Sequence, residues 1–93
     1  MPEAKHIQDY KIRLEAAKKL LAELEATIVN PEAREHFLHT TKGNLRESEA
    51  LIADTKNQNV GIASFALTLA EQNLVWVKKL VDKYGPNIQI VGG

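Results

Sequence analysis

Apolar residues recur at alternating intervals of three and four along two long stretches of this chain, and that rhythm points to α-helix. In the first stretch Ile7, Tyr10, Leu14, Ala17, Leu21, Leu24 and Ile28 keep the spacing; in the second Val60, Ala63, Leu67, Ala70, Leu74, Val77, Val81 and Tyr84 keep it. A period near 3.6 places each set on one helical face, whereas a half-buried strand would alternate every second residue. The expectation is an amphipathic helix over about 3–29 and another over about 59–84. A helix over about 31–56 is anchored more thinly between them, by Phe37, Leu38, Leu45, Leu51 and Ile52.

Local punctuation agrees with these bounds. Pro2 suits a first helical turn, and Asn30-Pro31 is a stop and a restart, with the Asn side chain as cap and Pro where its missing N–H is harmless. Gly43 in the second helix costs about 1 kcal/mol relative to Ala, so a bend or a close contact is expected there. The polar run Lys56-Asn57-Gln58-Asn59 reads as a turn with Asn59 as a cap, and Gly85-Pro86 ends the third helix. Lys78, Lys79 and Lys83 sit where cations favour the helix dipole. An extended tail over 85–93 carries Ile88, Ile90 and Val91 toward a neighbour, and the Gly92-Gly93 end reads as frayed. The fold class expected is all-α: one domain over 1–93, a long antiparallel helical hairpin or three-helix bundle.

Residues 57–70 contain no charge in a chain that is 26% charged. Val60, Ile62, Phe65, Leu67 and Leu69 are spread around the helical circumference, so burial on more than one side is expected, and with it a homo-oligomer. Composition narrows the partners. Lys plus Arg and Asp plus Glu are 12 each, which removes the bulk drive toward long nucleic acids or anionic membranes. The absence of cysteine excludes disulfides and thiolate chemistry. Charges stud the first twenty residues, against a signal peptide, and the uncharged run is shorter than the roughly 20 apolar residues a spanning helix needs. A cytoplasmic protein without a membrane partner is expected.

Helix two carries the most chemistry. His36, His39, Lys42 and Arg46 follow at steps of three, three and four, with Thr40, Thr41 and Asn44 nearby, which reads as an anion-facing strip. The competing account is a solvated face, because Glu35, Glu47 and Glu49 are interleaved. His36 and His39 with Glu32 and Glu35 fall short of a metal set, and surface histidines account for them. On helix one, Tyr10 beside Lys11, Lys18 and Lys19 offers a stacking ring and cations to a purine and its phosphate, against a simpler role for Tyr10 in the core. No nucleophile with its base, paired carboxylates or Gly-rich phosphate loop stands out, so an enzyme is not expected and no cofactor is implied.

His39-Thr40-Thr41-Lys42-Gly43 resembles the His-x-x-Lys-Gly core of histidine phosphotransfer domains, which implies phosphorylation at His39 steadied by Lys42. The segment Ala66-Leu67-Thr68-Leu69-Ala70-Glu71-Gln72-Asn73-Leu74-Val75-Trp76 resembles the C-terminal helix of the small phage hairpin domain shared by anti-CBASS and anti-Thoeris sponge proteins. Thr68, Glu71 and Trp76 keep that family's spacing, with Lys78 or Lys79 as its basic end. Where the family shows an arginine seven residues before the threonine, this chain has Gly61. The resemblance implies a homo-oligomer, typically a hexamer, that holds a nucleotide-derived second messenger between protomers without turnover, in the host cytoplasm. Thr68 is the polar contact it carries over. Phosphate donors would then come from His39, Lys42 and Arg46 or from Tyr10 and Lys18. A structural adaptor without ligand is the third possibility.

Overall fold

A computed structural model describes residues 5–53 and 59–89. The expected Pro2 start, the end of helix two at 54–56, the 56–58 part of the turn, and Ile90, Val91 and the Gly92-Gly93 end lie outside the described residues. Within them the chain is all-α: α1 spans Lys5–Thr27, α2 Pro31–Ala53 and α3 Val60–Tyr84.

The helix ends follow from local chemistry. α1 stops two residues earlier than its apolar rhythm implies, because Val29 turns its backbone N–H to the Pro86 carbonyl at 2.9 Å. The Ile28 carbonyl there accepts from both Nε and Nη2 of Arg34, at 3.2 and 3.0 Å. Asn30 caps α2, its Oδ1 accepting from the Ala33 N–H at 3.0 Å, and Asn59 caps α3 through the Ile62 N–H at 2.9 Å. Gly85 ends α3 with φ of 84°, a conformation that favours glycine, while its N–H reaches the Val81 carbonyl at 2.7 Å.

All three helices contribute to one core. From α1 come Tyr10, Leu14, Ala17, Leu24 and Ile28; from α3 come Ala63, Leu67, Ala70, Leu74, Val77 and Val81. Both sets fall on the three-four rhythm of the sequence. α2 adds Ala33, Leu38 and Leu45, and Ile88 closes the core from the tail. Its inner row, however, also contains two polar residues that no apolar pattern reveals. Thr41 and Ser48 are fully buried, so the seam of α2 runs Leu38, Thr41, Leu45, Ser48, Ile52 in steps of three and four. Ser48 meets α3 at the Ala63 carbonyl, and Ala63, Ala66 and Ala70 are the small buried residues of that helix.

The bend or close contact expected at Gly43 is absent. α2 continues through it as one helix, and a Cβ added there would meet nothing within 4 Å. The uncharged run alone is shorter than a spanning helix needs, but α3 as a whole, Val60–Tyr84, is long and apolar enough to cross a bilayer by length and composition. Core helices of water-soluble proteins that are mostly buried pass the same test, whereas a third of this helix's most apolar 18 residues is buried inside the protein.

Candidate functional site

The strip expected along α2 splits between two sides of the molecule. Each step of three lags the 3.6-residue repeat by about 60°, so two successive steps carry Lys42 a third of a turn away from His36. Lys42 and Arg46 turn toward α1, where Lys18 joins them around a shallow cleft of about 340 Å³ floored by Leu21 and Leu45. Two carboxylates share it. Lys18 Nζ lies 3.1 Å from Glu49 and 3.8 Å from Glu15, and Lys42 Nζ lies 3.7 Å from Glu25. The hydrogen bond to Glu49 holds the Lys18 ammonium above the ordinary lysine value. Arg46 reaches the cleft without a carboxylate partner among the described residues. Three of the residues nominated from sequence, Lys18, Lys42 and Arg46, are thus gathered, with Glu25 and Glu49 in the cleft and Glu15 beside it as counter-charges.

His39 stays out of this cleft. Its ring is exposed, and Nδ1 sits 2.9 Å from Glu35 one turn earlier, leaving Nε2 toward solvent. The open space beside Gly43, one turn later, keeps the neighbouring surface low.

Tyr10 does not belong to a binding site in this chain. It is 1% exposed, and its hydroxyl bonds to Ser48 Oγ. Since the single Ser48 proton goes to the Ala63 carbonyl at 2.7 Å, Tyr10 is the donor in that bond. Tyr10, Ser48 and Ala63 therefore form a buried relay across α1, α2 and α3, with no ring face left for a purine. A second, half-buried link joins α2 to α3: Asn73 Nδ2 donates to the Phe37 carbonyl at 3.0 Å and to Thr41 Oγ1.

Thr68 is similarly committed within the chain. Its hydroxyl donates to the Ser64 carbonyl at 2.9 Å, the helix-internal bond open to any threonine, and accepts from Arg13 Nη2 at 3.1 Å. The same guanidinium grips Glu71 with two bonds, the Nε one at 3.2 Å. Glu71, by those bonds first and by its charge as well, holds Arg13 above the usual arginine value against the opposing effect of burial. Arg13 is the residue that reasoning from sequence missed. It precedes the apolar residue Leu14 of α1 and reads there as one more flank charge, yet the fold sets it over the Thr68–Glu71 pair.

A larger concavity, about 630 Å³, opens beside the tail, between His36 and Phe37 of α2 and Trp76, Leu80 and Tyr84 of α3. Phe37 stands edge-on to both His36 and Trp76, with ring centres 5.1 and 5.9 Å apart. Lys83 Nζ lies 5.1 Å from the Tyr84 ring centre. Among the described residues no three His, Cys, Asp or Glu side chains are grouped to hold a metal ion.

Comparison with protein-family models, with curated proteins and with solved structures returned no match.

Proposed function

We propose that this chain is a non-enzymatic binding protein that captures a small nucleotide-derived anion, of the class of cyclic oligonucleotide or ADP-ribose-type second messengers, without turning it over. On this reading α2 and α3 form the long antiparallel hairpin with α1 laid along it, and the chain works as a homo-oligomer in the cytoplasm of a host whose antiviral signalling it silences. The observation that carries it is the convergence of Lys18, Lys42 and Arg46 on one cleft. A guanidinium and two ammonium groups suffice for two or three phosphate charges, and near-zero net charge favours a compact anion over a long polyanion. Binding would exchange the Glu25 and Glu49 partners of the lysines for phosphate oxygens. Thr68 would join such a site only if Arg13 turned from it to the ligand.

Thermal melting with cyclic di- and trinucleotides and cyclic ADP-ribose variants tests this directly. A ligand at one hundred times its Kd adds about 2.7 kcal/mol to the folded state, and the double variant Lys42→Glu, Arg46→Glu is expected to lose the shift. A melting point indifferent to every nucleotide would sink the reading.

The exposed His39, with Nδ1 held by Glu35 and clear space at Gly43, supports a second reading as a phosphotransfer protein. In that reaction Nε2 attacks the phosphorus of a receiver aspartyl phosphate, the P–O bond to the carboxylate breaks, and the phosphoryl group moves to the ring as the carboxylate leaves. Label transferred from a phospho-receiver should be lost with His39→Gln. Equal labelling of that variant removes the reading.

A further inference from the structure

The core accounts for one face of α3 and leaves a second apolar face uncovered. Ile62, Phe65, Leu69, Trp76 and Leu80 lie in a row about a third of a turn from the buried row, at 100° per residue. Phe65 is 64% exposed, Trp76 51%, Ile62 50% and Leu69 39%. From Ile62 to Leu80 the row contains no charged residue, and Lys83 follows in line at its C-terminal end.

We propose that this row is the interface between two copies of the chain, packed α3 against α3 in antiparallel sense about a two-fold axis level with Ala70 and Glu71; it rests on the oligomeric part of the function proposed above and gives it a surface. The row is close to symmetric about that level. In an isologous pairing Phe65 of one copy meets Trp76 of the other, Ile62 meets Leu80, and Leu69 meets the neutral Gln72. Aromatic residues are what interface centres favour.

Charge selects the antiparallel sense. α3 holds Lys78, Lys79, Asp82 and Lys83 in its last two turns, Lys78 paired with Asp82 at 3.1 Å, and no charge before Glu71. A parallel pair would set Lys79 and Lys83 against their own copies. The antiparallel pair sets Lys79 against the uncharged first turn, where its stem covers Ile62. Glu71 points away from the row, held by Arg13.

The area is sufficient. Aromatic side chains present about 150–250 Å² each, so Phe65 and Trp76 expose on the order of 250 Å² together. Ile62, Leu69 and Leu80 bring the row to about 400 Å² per copy, and with its rim the pair reaches the roughly 1,000 Å² that a specific interface needs.

The chain has no cysteine, so single engineered ones report the pairing cleanly. A mixture of Phe65→Cys and Trp76→Cys proteins is expected to form a disulfide between the two variants, while neither alone forms one, since equivalent residues lie about 16 Å apart along the helix axes at a rise of 1.5 Å per residue. Phe65→Cys joining itself as readily as its partner variant would overturn the antiparallel arrangement. By sedimentation the wild type should run at no less than twice its 10.4 kDa chain mass, and Phe65→Glu should run at half the wild-type mass or less with its helical circular dichroism unchanged. A monomeric wild type at micromolar concentration overturns the interface, as does an unchanged mass in Phe65→Glu. So does a chain that is monomeric in water but floats with phosphatidylcholine vesicles, because lipid would then be the occupant. A dimer that no nucleotide stabilises would uphold the interface and remove only ligand capture.

Discussion

Ser48 has a single proton, and the fold commits it to the Ala63 carbonyl while its oxygen receives the Tyr10 hydroxyl. Removing that oxygen strands a buried phenol, whereas removing the phenol leaves Ser48 still paired. Ser48→Ala should therefore destabilise the protein by about 1–3 kcal/mol and Tyr10→Phe by only about 0.5–1.5 kcal/mol, with the double variant milder than the sum of the two. Urea unfolding measures all three, and a larger loss for Tyr10→Phe would contradict the assigned direction of the bond. Lys18 allows a test in alkali. Its folded value lies above the unfolded one because of Glu49, so the pair's contribution is complete below the ordinary lysine value and disappears as pH climbs through the raised one. Two-fifths of the Lys18 side chain is exposed, so water screens the pair and the change in stability is small. The titration itself should move: Glu49→Gln is expected to bring the Lys18 ammonium back toward the ordinary value by NMR. An unmoved titration would show that Glu49 does not set it.

At the level of elements, α2 is the helix whose behaviour differs most from its sequence. Its apolar anchors are sparse because two inward positions are Thr41 and Ser48, each bonded across to a neighbouring helix. Hydropathy treats such residues as outward facing, and only their partners reveal the contrary. Gly43 also misleads, since glycine in mid-helix reads as a bend or a contact and here has neither. Nothing would obstruct a methyl group, and the backbone is already helical. Gly43→Ala should accordingly stabilise the protein by about 0.5–1 kcal/mol through helix propensity, read as a higher urea midpoint at unchanged slope. A loss of stability would mean that something packs at that point in the assembled protein.

For the molecule as a whole, the extents of 50 × 21 × 17 Å describe a rod only about two helices thick. Such a shape has a high ratio of surface to volume, and an apolar helix within it cannot be covered on every side by its own chain. Ile62, Phe65, Leu69, Val75, Trp76 and Tyr84 of α3 are what remains outside. Trp76 is the only tryptophan, so it reports association directly. Its emission should shift to shorter wavelength as concentration rises through the range of self-association, and the shift should vanish in Phe65→Glu. Emission independent of concentration, at concentrations where the chain is shown to be associated, would place the interface elsewhere.

The helices, their caps and most of the core were legible in the chain because they depend on neighbours three or four residues away: a seam, an Asn before a helix, a Gly after one. The gathering of charges was not, because it depends on residues far apart in sequence. Arg13 meets Thr68 and Glu71 across 55 and 58 positions, and Lys18 meets Glu49 only because α1 lies along α2. Tyr10 sits in a seam either way, and packing alone decided that its ring faces Ser48 instead of a ligand. Sequence by itself determined three helices and one apolar surplus, since helical period and local hydrogen bonding are properties of short segments. Tertiary structure decided which polar groups are satisfied inside, which cations share a cleft and which apolar face is left uncovered, since those follow from how the helices are set against one another.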